Sequence, residues 1–184
     1  MSKIGKKPII LPDKVTSRLE GNVLEISGPL GKLTFKIPEH LIDLSLSEGS
    51  ISVVNKNDSK LSLAMRGTAR SIINNMVLGV TQGYSRSLII EGIGYKAALE
   101  QNKLKLEVGY SHPIFIEIPS GIKVQVEKNK ITVSGIDKQL IGDFAARIKR
   151  VRIPDSYKGK GIRFENEILK LKPGKKAGTA AGAA

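Results

Sequence analysis

The sequence predicts an α+β protein of two similar domains produced by internal duplication, each an antiparallel sheet covered by one helix. Segments recur about 80 residues apart, strand-like segments alternate polar and apolar residues, and a helical pattern follows each run of strands. Leu19-Glu20-Gly21-Asn22-Val23-Leu24 resembles Leu99-Glu100-Gln101-Asn102-Lys103-Leu104, and Ile51-Ser52-Val53 matches Ile131-Thr132-Val133, both at an offset of 80. Ile37-Pro38 matches Ile118-Pro119, shifted by one more.

The strands show most clearly in the second copy. Leu104, Leu106 and Val108 interleave with Lys103, Lys105 and Glu107, and Ile114, Ile116 and Ile118 recur at every second position, as do Val124 and Val126. A period of two with one polar face marks half-buried antiparallel strands. Gly28-Pro29, Gly49-Ser50, Ser120-Gly121 and Asn129 supply turns. The first helix is predicted to start at Asp58 or Ser59, both good N-caps. Leu61, Met65, Thr68, Ile72 and Met76 are read as its buried stripe, with Ser62, Arg66, Arg70 and Asn74 as a separate polar row, in which Arg66 and Arg70 are read as a solvated face rather than a second RNA site. The second starts near Asp137, turns Leu140, Ile141, Phe144, Ala145 and Ile148 inward, and is stopped by Pro154. The junction is expected between Gly79 and Tyr84. This gives a first domain over 1–81, a second over 82–176, and a disordered Ala/Gly tail over 177–184.

The 184 residues contain no Cys and no Trp, and only 4% are aromatic, so the core must be built from Ile, Leu, Val and Ala. The absence of Cys excludes disulfides, thiolate zinc sites and a thiol nucleophile, and it fits a reducing compartment. The net charge is +13, which calls for a polyanionic partner. No apolar run approaches the roughly 18 residues of a membrane span. The opening MSKIGKKPIILP lacks the apolar region of a signal peptide. Nucleic acid is the expected partner and no membrane is involved. The charge is concentrated at the ends: residues 1–14 carry +3, residues 15–137 only +2, and residues 138–176 carry +8.

Pro154-Asp155-Ser156-Tyr157-Lys158-Gly159-Lys160-Gly161-Ile162 is the sharpest local feature. Lys158 and Lys160 supply charge, and Gly159 and Gly161 let backbone approach a phosphate. Tyr157 can stack on a base or donate a hydrogen bond. Arg147, Lys149, Arg150 and Arg152 crowd the end of the second helix. The helix dipole accounts for one or two such charges, not four. With Arg163, Lys170, Lys172, Lys175 and Lys176 they are expected to form one basic surface. Ser111 and His112, in the turn Gly109-Tyr110-Ser111-His112-Pro113, are weaker candidates. Lys3, Lys6 and Lys7 form a basic arm expected to order on binding. Glu165 and Glu167 are read as strand or loop charges.

Catalysis finds little support. His40 and His112 lack metal-ligand spacing, and no phosphate-binding glycine loop of either common form occurs. No enzyme activity, cofactor or small-molecule substrate is expected.

Several motifs together resemble one family. They are Ile4-Gly5-Lys6-Lys7-Pro8, Gly28-Pro29-Leu30-Gly31, Asn74-Asn75-Met76-Val77-Leu78-Gly79-Val80, Gly92-Ile93-Gly94-Tyr95, Gly109-Tyr110-Ser111-His112-Pro113, Asp137-Lys138-Gln139 and the Pro154–Ile162 segment. In this order, over about 170 residues, they resemble the bacterial-type family of protein six of the large ribosomal subunit (ribosomal protein "L-six"). The resemblance implies two duplicated α+β domains and binding to large-subunit ribosomal RNA, mainly through the second domain and its extension. It further implies a position near the sarcin–ricin loop and stalk base, beside neighbouring large-subunit proteins and, transiently, translational GTPases. It implies a cytoplasmic bacterial ribosome, with an organelle ribosome as the alternative. Ile153 stands where that family usually has a second proline, and Asp155-Ser156 replaces the more usual Glu-Pro, which bears on the rigidity of the approach to the loop.

Overall fold

The computed structural model describes residues 5–47 and 49–174. Lys3, Lys175, Lys176 and the tail from Ala177 lie outside the described residues. In chain order the first half contains β1 (Ile9–Ile10), β2 (Thr16–Glu20), β3 (Val23–Gly28), β4 (Gly31–Lys36), β5 (Ile42–Ser47), β6 (Ser50–Asn55) and α1 (Lys60–Thr81). The second contains β7 (Tyr84–Glu91), β8 (Lys96–Glu100), β9 (Lys103–Glu107), β10 (Ile114–Glu117), β11 (Ile122–Glu127), β12 (Lys130–Gly135), α2 (Lys138–Val151) and β13 (Gly161–Phe164).

The α+β class and the duplication are both present. β2 and β8, β5 and β11, and β6 and β12 are each separated by 80 residues at both ends. The register repeats as well: Leu19 opposes Leu24 as Leu99 opposes Leu104. The N–H of Ile37 donates to the Asn22 carbonyl, and that of Ile118 to the Asn102 carbonyl. The hairpin turn also recurs, with Gly21 at φ 58° in one copy and Gln101 at φ 53° in the other. Within each half the strands group into two small sheets. The orders are β1-β6-β5 and β2-β3-β4 in the first half, and β10-β9-β8 and β11-β12-β7-β13 in the second. β13 has no counterpart among the described residues of the first half.

Contacts divide the chain into two compact units. One runs to Ser85 and includes Ser120–Lys123 and Ser134–Ile141; the other comprises Arg86–Pro119, Val124–Val133 and the residues from Gly142 onward. The core of the first is aliphatic, with Leu24, Ile26, Ile51 and Ile73 fully buried. Leu88, Leu104, Leu106, Phe144 and Ile162 play the same part in the second.

Ser59 caps α1, its side chain accepting from the Ser62 N–H. The buried face of α1 differs from the expected stripe. Ala69, Ile73, Met76, Val77 and Val80 are buried, whereas Leu61 is 63% exposed and Thr68 is exposed. Ser62, assigned to the polar row, is fully buried and donates to the Leu41 carbonyl at 2.6 Å. Small Ser62 and Ala69 let the helix approach the sheet, so large apolar residues do not mark its inner face. Arg66 and Arg70 are half-buried rather than solvated. Arg66 donates to the Gly5 carbonyl and Asn55, and Arg70 donates to the Lys7 carbonyl. The Gly5 and Lys7 carbonyls at the root of the N-terminal arm are thus bonded to α1. The helix also runs through Gly79 to Thr81, so only Gln82 and Gly83, the latter at φ 73°, separate it from β7.

α2 buries Ile141, Phe144, Ala145 and Ile148 as the spacing predicts, with Leu140 half-buried. It has 14 residues against the 22 of α1. Pro154 lacks an N–H and biases Ile153 away from helical geometry, so the chain leaves the helix there. After a loop it returns as β13, which pairs antiparallel with β7 from Gly161↔Glu91 to Phe164↔Leu88.

Candidate RNA-binding surface

The surface is built where α2 ends and β13 begins. The loop between them is held by its own backbone. The Asp155 N–H donates to the Lys160 carbonyl, the Gly159 N–H to the Asp155 carbonyl, and the Ile162 N–H to the Arg152 carbonyl at 2.8 Å. The Asp155 carboxylate accepts from the Lys158 N–H at 3.0 Å. That bond and those from the Tyr157 and Ser156 N–H groups hold its carboxyl below the usual range. Asp155 therefore closes the loop from both its backbone and its side chain.

Both loop glycines face the protein. Gly159 is buried at φ 69°. Gly161 is buried at φ 151°, and a Cβ there would stand 2.6 Å from the Pro154 Cα. Their freedom from a side chain serves loop geometry, whereas Tyr157 and Lys158 are exposed and Lys160 is half-buried.

Apart from Arg152, the described cations predicted as one group fall into two sets. Lys149 donates to both carboxylate oxygens of Glu167, at 2.6 and 2.8 Å, and lies 5.1 Å from the Phe164 ring centroid. Arg163 donates to Glu91 at 2.6 Å and to the Glu167 carbonyl. These two are committed inside the fold. Their partners sit on β7 and in the turn after β13, which the linear sequence does not reveal. By contrast, Arg147, Arg150, Lys158, Lys170 and Lys172 are exposed, and with Lys160 they have no ion-pair partner among the described residues.

Arg152 belongs to neither set. Its guanidinium lies 5.2 Å from the centroid of the Tyr110 ring, and the Tyr110 hydroxyl donates to the Val151 carbonyl at 2.8 Å. This contact brings the Gly109–Pro113 turn onto the end of α2, with Ser111 and His112 exposed beside it. Tyr95, Tyr110, Arg150, Arg152, Ile153 and Lys160 line one shallow groove. Sequence reasoning missed Tyr95. Its ring packs so closely on Gly92 and Gly109 that a Cβ on either would meet it at 2.5 or 3.1 Å. The linear sequence gives no signal for this, because Gly109 is remote from Tyr95 along the chain.

The extension beyond β13 returns to the loop. The Lys172 N–H donates to the Ser156 carbonyl at 2.8 Å, and Leu169 and Leu171 lie against Gly159. Lys170 and Lys172 therefore stand beside Tyr157, Lys158 and Lys160. Planar aromatic and guanidinium groups among unpaired lysines can stack on bases and neutralise phosphates. Lys6 and Lys7, both exposed, lie in the other unit. Among the described residues no cluster of three metal-ligating side chains occurs, and no helix is long and apolar enough to cross a membrane.

Comparison with known proteins gives one consistent result. The family model described as Ribosomal protein L6 matches twice, over residues 11–83 and 91–165. The large ribosomal subunit protein uL6 of Hydrogenobaculum sp. (strain Y04AAS1) is 52% identical, covering 97% of this chain and 98% of its own length. The proteins of the same name from Persephonella marina and Gloeothece citriformis are 47% and 46% identical, over 97% and 95% of this chain and 99% and 98% of their own lengths.

Proposed function

Since this chain belongs to the ribosomal protein L6 family, we propose that it is a non-enzymatic constituent of the large ribosomal subunit that binds large-subunit ribosomal RNA through the α2–β13 surface. The observation that carries this reading is the sorting of charge in the second half. Lys149 and Arg163 are neutralised within the fold, while Arg147, Arg150, Lys158, Lys160, Lys170 and Lys172 form no ion pair among the described residues and Tyr157 is exposed.

Residues 82–176 carry the RNA contacts in this reading. Residues 1–81 form a less basic companion domain whose excess charge lies mainly in its arm, with Lys3, Lys6 and Lys7. The finer position is the factor-binding region, near the sarcin–ricin loop and stalk base, where the protein buttresses RNA met by translational GTPases and touches neighbouring large-subunit proteins. In a bacterium this places it in the cytoplasm, and an organelle ribosome is the alternative.

The test is titration with a large-subunit ribosomal RNA fragment over a salt series. Lys158→Ala with Lys160→Ala keeps every backbone bond of the loop, so the lost contribution is electrostatic. Each phosphate contact contributes about 0.7–0.9 to the slope of log affinity against log salt, so the double variant lowers its magnitude by about 1.4–1.8. Wild-type affinity and slope in the folded double variant would reject the site.

A further inference from the structure

We propose that Glu167 is a positioning residue for the RNA-binding surface: it folds the C-terminal extension back so that Lys170 and Lys172 stand beside the Tyr157–Lys160 loop. The inference rests on the functional reading above.

An acidic residue in the most basic stretch of the chain needs a reason. A carboxylate within a Debye length of bound phosphate, about 8 Å in physiological salt, repels it. As a solvated charge Glu167 would only weaken binding. The structure gives it another role. One carboxylate oxygen accepts from Lys149 alone, while the other accepts from both Lys149 and the Phe164 N–H. Its own N–H donates to the Phe164 carbonyl and its carbonyl accepts from Arg163. A single residue thereby closes the reverse turn after β13 and ties it to α2. Lys149 and the Phe164 N–H hold the carboxyl below the usual range, so it is charged at neutral pH.

Two further acids support the same turn. The Glu165 carboxylate pairs with Lys130 on β12 at 2.7 Å, and its N–H donates to the Ser87 carbonyl on β7. Glu91 on β7 holds Arg163. Beyond the turn, Ile168 is 91% exposed and contributes no packing. The next anchors are Leu169 and Leu171 against Gly159 and the bond from the Lys172 N–H to the Ser156 carbonyl. The direction in which the chain leaves the turn therefore determines whether Lys170 and Lys172 reach the loop.

Charge alone and positioning predict opposite signs. Glu167→Gln removes a negative charge from a polyanion-binding face, so on charge alone affinity rises. Positioning predicts a fall, because two lysines leave the face while at most one, Lys149, is freed. The experiment uses the full chain, a large-subunit ribosomal RNA fragment and a salt series, with amide hydrogen exchange at Lys172 as a second readout. The salt-slope magnitude should drop by about 0.7–1.8, equivalent to about 5- to 60-fold weaker binding at 0.1 M salt. Exchange at Lys172 should rise at least tenfold (about) relative to wild type while amides of β9 and α2 hold.

Glu167→Asp keeps the charge but shortens the reach. It should lose affinity to an intermediate degree, where charge alone predicts no change, and it serves if the glutamine variant fails to fold. Equal or tighter binding by folded Glu167→Gln, or unchanged exchange at Lys172, overturns the inference. A wild-type chain that does not bind the fragment instead defeats the functional reading on which the inference rests.

Discussion

Gly161→Ala should destabilise the second unit even in the absence of RNA. At φ 151° the residue occupies a region that L side chains rarely adopt, which costs about 1–3 kcal/mol. The added Cβ would stand 2.6 Å from the Pro154 Cα, 2.7 Å from its N and 2.9 Å from the Ile153 carbonyl carbon. All three are backbone atoms, so no rotamer change relieves the clash. The strand must instead move away, straining the 2.8 Å bond from the Ile162 N–H to the Arg152 carbonyl. Overpacking of this kind adds about 1–3 kcal/mol, for a combined loss of about 2–6 kcal/mol. Gly159→Ala is the internal control. Its φ is 69°, but the nearest atom to an added Cβ is the Leu171 Cδ2 at 3.6 Å, so only the conformational cost of about 1–2 kcal/mol applies. Urea unfolding of both full-length variants, followed by circular dichroism, measures the difference. If Gly161→Ala unfolds within about 0.5 kcal/mol of wild type, or costs no more than Gly159→Ala, the packing argument fails. A glycine needed only for phosphate approach would give that result together with weakened RNA binding.

Ser62→Ala should cost about 0.5–1.5 kcal/mol, because the Leu41 carbonyl keeps its bond from Lys56. Exposed Leu61→Ser should stay within about 0.5 kcal/mol of wild type in the same urea assay. Glu165 and Glu167 have folded pKa values held down by Lys130 and Lys149 respectively. Their stabilisation is present above the unfolded carboxylate pKa of about 4.3 and is lost as pH falls through the lower folded values. Urea midpoints should drop below about pH 4, and Glu167→Gln should flatten that drop. Tyr157→Ala should lower RNA affinity by about 1–3 kcal/mol if the ring stacks on a base, with almost no change in salt slope. Arg18→Ala and Lys32→Ala should leave affinity nearly unchanged, because both cations pair with glutamates on the first unit's sheet.

The duplication was legible because strand register is a local property. Alternation and turn residues set which side chains face inward, so a sequence offset of 80 reappears as an offset of 80 between strands. The face of α1 was not, because close packing favours small residues. Ser62 and Ala69 lie inside while Leu61, Leu63 and Leu78 are exposed. The basic surface was legible as composition but not as geometry. Whether a lysine is available depends on acids brought near by folding, and Lys149 meets Glu167 across 18 residues while Arg163 meets Glu91 across 72. The contacts at the root of the N-terminal arm were hidden for the same reason, since Arg66 and Arg70 lie more than 60 residues from the carbonyls they meet. Tyr95 escaped notice because its role depends on two glycines that only the fold places against its ring.

Ultraviolet crosslinking of the protein to ribosomal RNA in intact large subunits, with the crosslinked residues mapped, is the most direct measurement. Crosslinks should concentrate at Tyr157, Lys158, Lys160, Arg147, Arg150, Lys170 and Lys172, with Lys149 and Arg163 silent because their charges are committed within the fold. Crosslinks centred on the ion-paired β8–β10 strands, or equally strong at Lys149 and Arg163, would contradict the sorting of cations from which the RNA-binding surface was inferred.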